Sequence, residues 1–166
     1  VSDYSIRAVT KADEPFLWEM LYQAIHVPEG VPAPPREIIY EPKLARYVKD
    51  WGVPGDYGLV ALVQETQQPV GATWLRLLVG EEGGYGYVDD QTPELNIAVL
   101  PEYRGKGFGT ALLKQLLTTA RENFPAVSLS VSPTNPAMEL YKRLGFEVVG
   151  ESGTSLIMLK KFTTED

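Results

Sequence analysis

The chain has no cysteine in 166 residues and one histidine, His26. Without cysteine there are no disulfides and no thiolate metal sites, and the commonest acyl-enzyme nucleophile is missing. No apolar run approaches the roughly 20 residues that a membrane-crossing helix needs, and no charged-then-apolar leader opens the sequence. A soluble, cytoplasmic protein with no membrane partner and no bound metal is expected. The chain opens on Val1 rather than methionine, so a trimmed piece is expected. Basic residues are also in short supply: 15 Lys and Arg stand against 22 Asp and Glu, a formal charge of −7. That balance argues against nucleic acid and fits a cationic partner better, although a modest acidic excess also serves solubility alone. With 44% hydrophobic and 22% charged positions, residues 1–166 suit a single globular domain.

Periodicity predicts a strand over residues 5–9, then a helix that starts at Asp13 as N-cap with Pro15 in its first turn. Phe16, Leu17, Met20, Leu21 and Ile25 recur along it at helical spacing. Residues 26–42 hold Pro28, Pro32, Pro34, Pro35, Pro42 and Gly30, which break regular structure until a short helix near 43–51. Such a segment suits a lid or substrate wall, or a plain surface connection. Residues 58–63 and 70–79 read as an antiparallel hairpin, and 80–93 as an irregular acidic, glycine-rich loop. Strands at 95–100 and 127–131 flank a helix over 111–121; a short helix over 136–144 and two closing strands, 146–150 and 155–162, follow. This order predicts an α/β (α+β) domain with a mixed sheet, helices on both faces and a right-handed crossover between 95 and 131.

The run RGKGFGT, residues 104–110, stands between a strand and a helix. Three alternate glycines leave the backbone bare just where a helix start offers unpaired N–H groups and partial positive charge, and pyrophosphate is the natural ligand of such a turn. The spacing is neither the GxGxxG of dinucleotide-binding folds nor the GxxxxGK of P-loops. It is RxxGxG, from Arg104, Gly107 and Gly109. About thirty residues downstream stand Asn135, Pro136, Ala137, Tyr141, Lys142, Leu144, Gly145 and Phe146.

Together, LNIAVLPEYRGKGFGTALL and NPAMELYKRLGF resemble the linked signatures of the GNAT superfamily of acetyl-CoA-dependent N-acetyltransferases. The resemblance is close over residues 94–149 and elsewhere holds by order of elements. It implies a twisted, mostly antiparallel sheet with a central, splayed parallel strand pair. It also implies acetyl-CoA as cosubstrate, its pyrophosphate held by the backbone of Arg104, Gly105, Lys106, Gly107, Phe108, Gly109 and Thr110. The pantetheine arm would pair with the strand at Ile97 and Val99 and meet Asn135. Tyr141 matches the tyrosine placed near the thioester sulfur.

An alkyl amine is protonated at neutral pH and must lose a proton before it attacks a thioester. Charge then develops on the thioester oxygen, which a backbone N–H near Val99 can stabilise, and a thiolate leaves, which Tyr141 can protonate. On helical spacing alone Tyr141 would read as a core aromatic beside Leu140 and Leu144, and Asn135 as an N-cap before Pro136. For the base, Glu94 opens the strand and shares a face with Asn96, so it can point toward the acceptor. One residue of register decides that face. Asp89, Asp90 and Tyr22 are alternatives. His26 has a suitable intrinsic pKa, yet its place at a helix end suggests a cap or surface role. Trp18, Trp51 and Trp74 read as core. The expected activity is direct acetyl transfer to a primary amine, small or peptidic, in a ternary complex; the alternatives are an acyl-CoA sensor without efficient transfer and a nucleotide-binding module. A homodimer is compatible with the sequence.

Overall fold

The structure is a computed structural model that describes residues 3–163. Seven strands form one sheet: β1 Tyr4–Ala8, β2 Tyr57–Val63, β3 Gln68–Arg76, β4 Glu94–Val99, β5 Ala126–Val131, β6 Glu147–Ser152 and β7 Ser155–Lys161. Their spatial order is β1-β2-β3-β4-β5-β7-β6, and every neighbour is antiparallel except the β4–β5 pair. Helices α1 Glu14–Gln23, α2 Pro42–Ala45, α3 Phe108–Asn123 and α4 Ala137–Arg143 cover the two faces.

The central strands are apolar at consecutive positions because each face of the sheet is buried. Leu59 and Ala61 of β2 join Leu112, Leu113 and Leu116 of α3 in one core. Val60 and Leu62, the alternate positions, join Leu17, Met20 and Leu21 of α1 in the other. Each fully buried leucine contributes roughly 1.5–3 kcal/mol relative to exposure. The recurrence of apolar residues at three- and four-residue spacing in α3 thus lays its stripe on β2 to β5.

Most strands lie within a residue or two of their expected bounds, and β3 departs most, spanning Gln68–Arg76 where 70–79 is expected. Helix α3 also differs, starting at Phe108 rather than 111: Gly107, at φ 90°, serves as its N-cap, so the glycine run is itself the start of the helix. Asp13 does precede α1, but its carboxylate binds Arg7 and the amide of Thr10 instead of the helix amides. The segment near 43–51 is only a short α2 followed by turns.

One discontinuity organises the sheet. β3 and β4 stay in register from Gly71↔Val99 to Arg76↔Glu94, and β5 and β7 from Ala126↔Lys161 to Val131↔Leu156. Between β4 and β5 only Glu94↔Ser128 registers, beside a Ser128 amide donating to Pro93 O at 3.0 Å. Past that point the two parallel strands part. Leu100 N donates to Val70 O, so alternation turns the main-chain groups of Ile97 and Val99 toward β5, where no registered partner meets them.

Arg76, the register partner of Glu94, fastens the chain after α2 to this part of the sheet. Its guanidinium is 5% exposed and donates to Asp56 at 2.8 and 3.1 Å and to the carbonyls of Arg46 and Lys49, with the Trp51 ring 5.4 Å away. Removing one partner of such a buried pair strands the other charge. Asp56→Ala is expected to lower unfolding free energy in urea by about 3–5 kcal/mol. A loss below about 1 kcal/mol would show that water reaches the guanidinium.

Candidate active site

A cavity of about 840 Å³ lies against the end of β4, between the segment after α1 and the start of α4. Ile97 and Val99 of β4 line it, with Arg104, Gly105 and Gly109 where the chain enters α3. Asn135 and Tyr141 line the opposite rim, before and within α4. These residues meet in one groove although α3 and β5 separate them in sequence. Lys106, Gly107, Phe108 and Thr110 lie outside the lining. Phe108 is 4% exposed and packs edge-on to the rings of Tyr4 and Tyr103, so only its main chain can serve a ligand.

The α3 start is shaped for an anion. Gly105 and Gly107 adopt φ 76° and 90°, left-handed values that a side chain would strain, and nothing lies within 4 Å of the place a Cβ would occupy. The helix ladder begins with Ala111 N donating to Gly107 O, so the preceding amides are free of helical partners. Arg104 is exposed, yet its guanidinium is committed within the chain. Its Nε donates to Val99 O at 2.9 Å, and its Nη2 to the Gln23 carbonyl and side chain at 3.3 and 3.2 Å. The guanidinium thus neutralises the carbonyl end of α1 and ties it to the end of β4. Asn135 Oδ1 accepts from Ala137 N at 2.9 Å, which caps the turn into α4 and leaves its amide hydrogens for the cavity.

Tyr141 is 8% exposed, and burial pushes its hydroxyl up to about 12. It stays protonated through neutral and mildly alkaline pH, as a hydrogen-bond donor must. Its ring meets Phe146 edge-on at 6.0 Å.

Glu94 is placed elsewhere than the sequence suggested. It does lie on the α1 face of β4, but it is 2% exposed and absent from the cavity lining, because the 80–93 loop folds back over it. Glu94 Oε1 accepts from Tyr47 Oη at 3.0 Å and Gly86 N at 2.9 Å, and Oε2 accepts from Gly84 N at 2.7 Å. A Cβ at Gly84 would collide with Tyr47 and Glu94, so the loop can close on the carboxylate only with glycine there. Asp90 accepts from Tyr87 Oη and Gly80 N, and the tyrosine bond holds its carboxyl below the usual range. Asp89 accepts from Gln91 N. Both acids shape their own loop. Tyr22 lines the cavity with its hydroxyl committed to Pro34 O at 2.8 Å.

His26 is the residue that local reading missed. The segment after α1 forms a cavity wall, and His26 Nε2 lies 3.2 Å from Thr134 Oγ1, across 108 residues of sequence. The proline-rich stretch hinted at such a wall, and Ala33 and Pro34 do belong to it. Trp51 and Trp74 are buried, and Trp18 donates to Glu14 beside the Tyr40 ring.

Fold and groove together define the class: a mixed α/β protein in which an open strand edge and a glycine-capped helix start share one cavity. The chain belongs to the acetyltransferase (GNAT) family, whose model matches residues 18–146. An N-alpha-acetyltransferase of Sulfurisphaera tokodaii is 47% identical over 58 residues, 33% of this chain and 35% of that protein. A [ribosomal protein bS18]-alanine N-acetyltransferase of Haemophilus influenzae is 39% identical over 61 residues, 36% of this chain and 42% of that one. Both matches therefore span less than half of either protein. The crystal structure of the PaiA N-acetyltransferase of Thermoplasma acidophilum, in complex with coenzyme A, superposes with a TM-score of 0.67 at 20% identity, covering 96% of this chain and 99% of that one. That likeness establishes the fold.

Two outcomes follow from the burial of Glu94 and Tyr141. Glu94→Gln turns an NH₂ toward a donor that now meets an oxygen, so urea denaturation should reveal a loss of about 1–3 kcal/mol; unchanged stability would place water under the loop. The Tyr141 hydroxyl titrates higher folded, near 12, than unfolded, near ~10, so its contribution is complete below pH 10 and disappears as pH rises toward 12. Tyr47 is also raised, by burial and then by the Glu94 charge, so the comparison must be with a variant. The stability difference between the parent and Tyr141→Phe should fall by roughly 2–3 kcal/mol across that window. A difference that stays flat would mean the hydroxyl is hydrated.

Proposed function

We propose that this chain transfers the acetyl group of acetyl-CoA to an amine by direct attack in a ternary complex. The observation that carries the reading is the single groove in which the open main chain of Ile97 and Val99, the bare amides before α3 and the Tyr141 hydroxyl converge. The residues suit the cosubstrate. The amides of residues 105–110 would hold the pyrophosphate, with Lys106 adding charge and Arg104 serving mainly through its main chain. Ile97 and Val99 would pair with the pantetheine amides as a neighbouring strand would, and the Asn135 side-chain amide would donate to the same arm. Acetyl-CoA supplies an acyl group activated as a thioester, and the compartment that provides it is the cytoplasm.

Val99 N–H would stabilise the charge that develops on the thioester oxygen. Tyr141 acts on the leaving sulfur. A hydroxyl near 12 does not hand its proton outright to a thiolate of ~8.5, so its part is to donate a hydrogen bond to the developing charge, the proton crossing as the amide nitrogen releases its own. Glu94 holds the 80–93 loop closed beside the splay, and any exchange of its own protons with the acceptor must pass that loop.

For the acceptor, we infer an α-amine at a peptide N-terminus. Among the described residues that line the cavity there is no carboxylate, so a polyamine would leave its extra charges unpaired. An α-amine titrates near ~8 and is partly neutral at pH 7 without help. The printed activities of the two relatives point the same way. This reading sets aside the weak preference for a cationic acceptor that the acidic balance suggested, since Asp89 and Asp90 are engaged within their own loop.

Thiol release from acetyl-CoA, followed across peptides with free α-amines, lysine peptides and polyamines, is expected with the α-amines first. Acetyl-CoA binding without release from any of them would leave a ligand-binding protein. In the active reaction, Tyr141→Phe should reduce kcat by about 10–100-fold and change the acetyl-CoA Kd by less than about twofold. An unchanged kcat between pH 6 and 9 would remove Tyr141 from the chemistry.

A further inference from the structure

We propose that His26 takes the proton from the acceptor amine. The proposal rests on the acetyl-transfer reading above and names a group that reading leaves open. Titratable side chains reach the cavity from each packed element: Tyr22 from α1, His26 from the segment after it, Arg104 from the turn after β4, and Tyr141 from α4. Arg104 has no free acceptor and is held by Gln23 and Val99. Tyr22 spends its proton on Pro34 O, and Tyr141 is kept protonated by burial. Glu94 is saturated by three donors beneath the 80–93 loop. Among the described residues of the lining, His26 is the one whose side chain has a basic ring nitrogen left over once the other is engaged, which is the atom a proton acceptor needs.

The surroundings also orient it. Thr134 Oγ1 lies 3.2 Å from His26 Nε2 and 3.1 Å from Ser132 Oγ. When Nε2–H donates to Thr134, and Thr134 in turn to Ser132, the tautomer is set and Nδ1 becomes the proton acceptor. Thr134 precedes Asn135, so the clasp joins the α1 side of the groove to the rim that would hold the cosubstrate arm.

The protons balance. The ammonium gives one proton to His26, the freed nitrogen forms the N–C bond while the C–S bond breaks, and the nitrogen's second proton ends on the thiol by way of Tyr141. Protonated His26 returns its proton to solvent. The net products are amide, thiol and one proton.

The test uses the whole chain, acetyl-CoA and a short peptide with a free α-amine. At saturating peptide, His26→Gln should lower kcat about 5–10-fold at pH 7, where about a tenth of an α-amine of pKa ~8 is neutral, and the deficit should shrink to below about twofold at pH 9, where the amine is already neutral. Acetyl-CoA Kd by calorimetry should stay within twofold, and added imidazole should restore part of the turnover of His26→Ala. Thr134→Val should show the same trend, weaker. A deficit equal at both pH values with no imidazole rescue, or a matching loss of acetyl-CoA affinity, would overturn the proposal and make His26 a clasp only. A pH-dependent deficit in Glu94→Gln with none in His26→Gln would move the base to Glu94. Absence of thiol release by the parent protein would overturn the transfer reading as well, and so marks a different failure.

Discussion

The parting of β4 from β5 is the constraint on which the site depends. Two parallel strands that register only at Glu94↔Ser128 leave main-chain donors and acceptors exposed in the middle of a sheet, where pairing is otherwise continuous. Unpaired backbone groups away from bulk water are costly, so the gap is stable only if something strand-like fills it or water enters. The outer edges of β4 and β5 are fully engaged with β3 and β7, which prevents the pair from sliding together to heal the gap. α3 then packs across β2 to β5 and delivers its amino end to the gap's open side. Strand edge and helix start thereby meet without either being distorted.

Glu94 stands at the last point of contact before the strands diverge, and its carboxylate closes the narrow end of the wedge. Two main-chain amides and a tyrosine hydroxyl converge on it, so the 80–93 loop is drawn over the base of the splay and linked to the chain after α2 through Tyr47. Tyr47 also accepts from Tyr85 N, and its own carbonyl receives the Trp74 indole N–H. A charged side chain buried to 2% and satisfied by fixed dipoles is a good fastener. The same dipoles and the same cover separate it from an acceptor, which is why a residue on the expected face of the expected strand lies outside the groove.

What local chemistry dictates was readable in the sequence, and what depends on distant contacts was not. The apolar run of β2, the α3 stripe, and the glycines at 105 and 107 each report on neighbours a few residues away, and each is found where spacing puts it. The linked signatures placed Ile97, Val99, Asn135 and Tyr141 on one groove. Three features escaped. Glu94 has the right face, but periodicity carries no information about a loop ten residues earlier returning over it. Arg104 was read as part of the phosphate turn, whereas its guanidinium is taken up by the Gln23 carbonyl and side chain at the end of α1 and by Val99 O. His26 looked like a helix-end residue because Thr134, the partner of its Nε2, is 108 positions away.

Arg104 also changes how the two halves of the groove are related. If its guanidinium faced the phosphates, the cofactor turn and the acceptor wall would be independent. Instead the first residue of the RxxGxG turn holds both the end of β4 and the end of α1, so the wall formed by the segment after α1 is positioned from the cofactor side. His26 makes the matching connection to the opposite rim. The wall is clasped at both rims, and Ala24, Ile25, Val27, Ala33 and Pro34 stand in it with no carboxylate, so on the proposed reading it would select an amine by shape and by the ease with which the amine gives up its proton instead of by charge. On the same reading the acidic residues of the 80–93 loop would act on the approach of a cation only, since Asp89 and Asp90 are engaged in holding that loop in place.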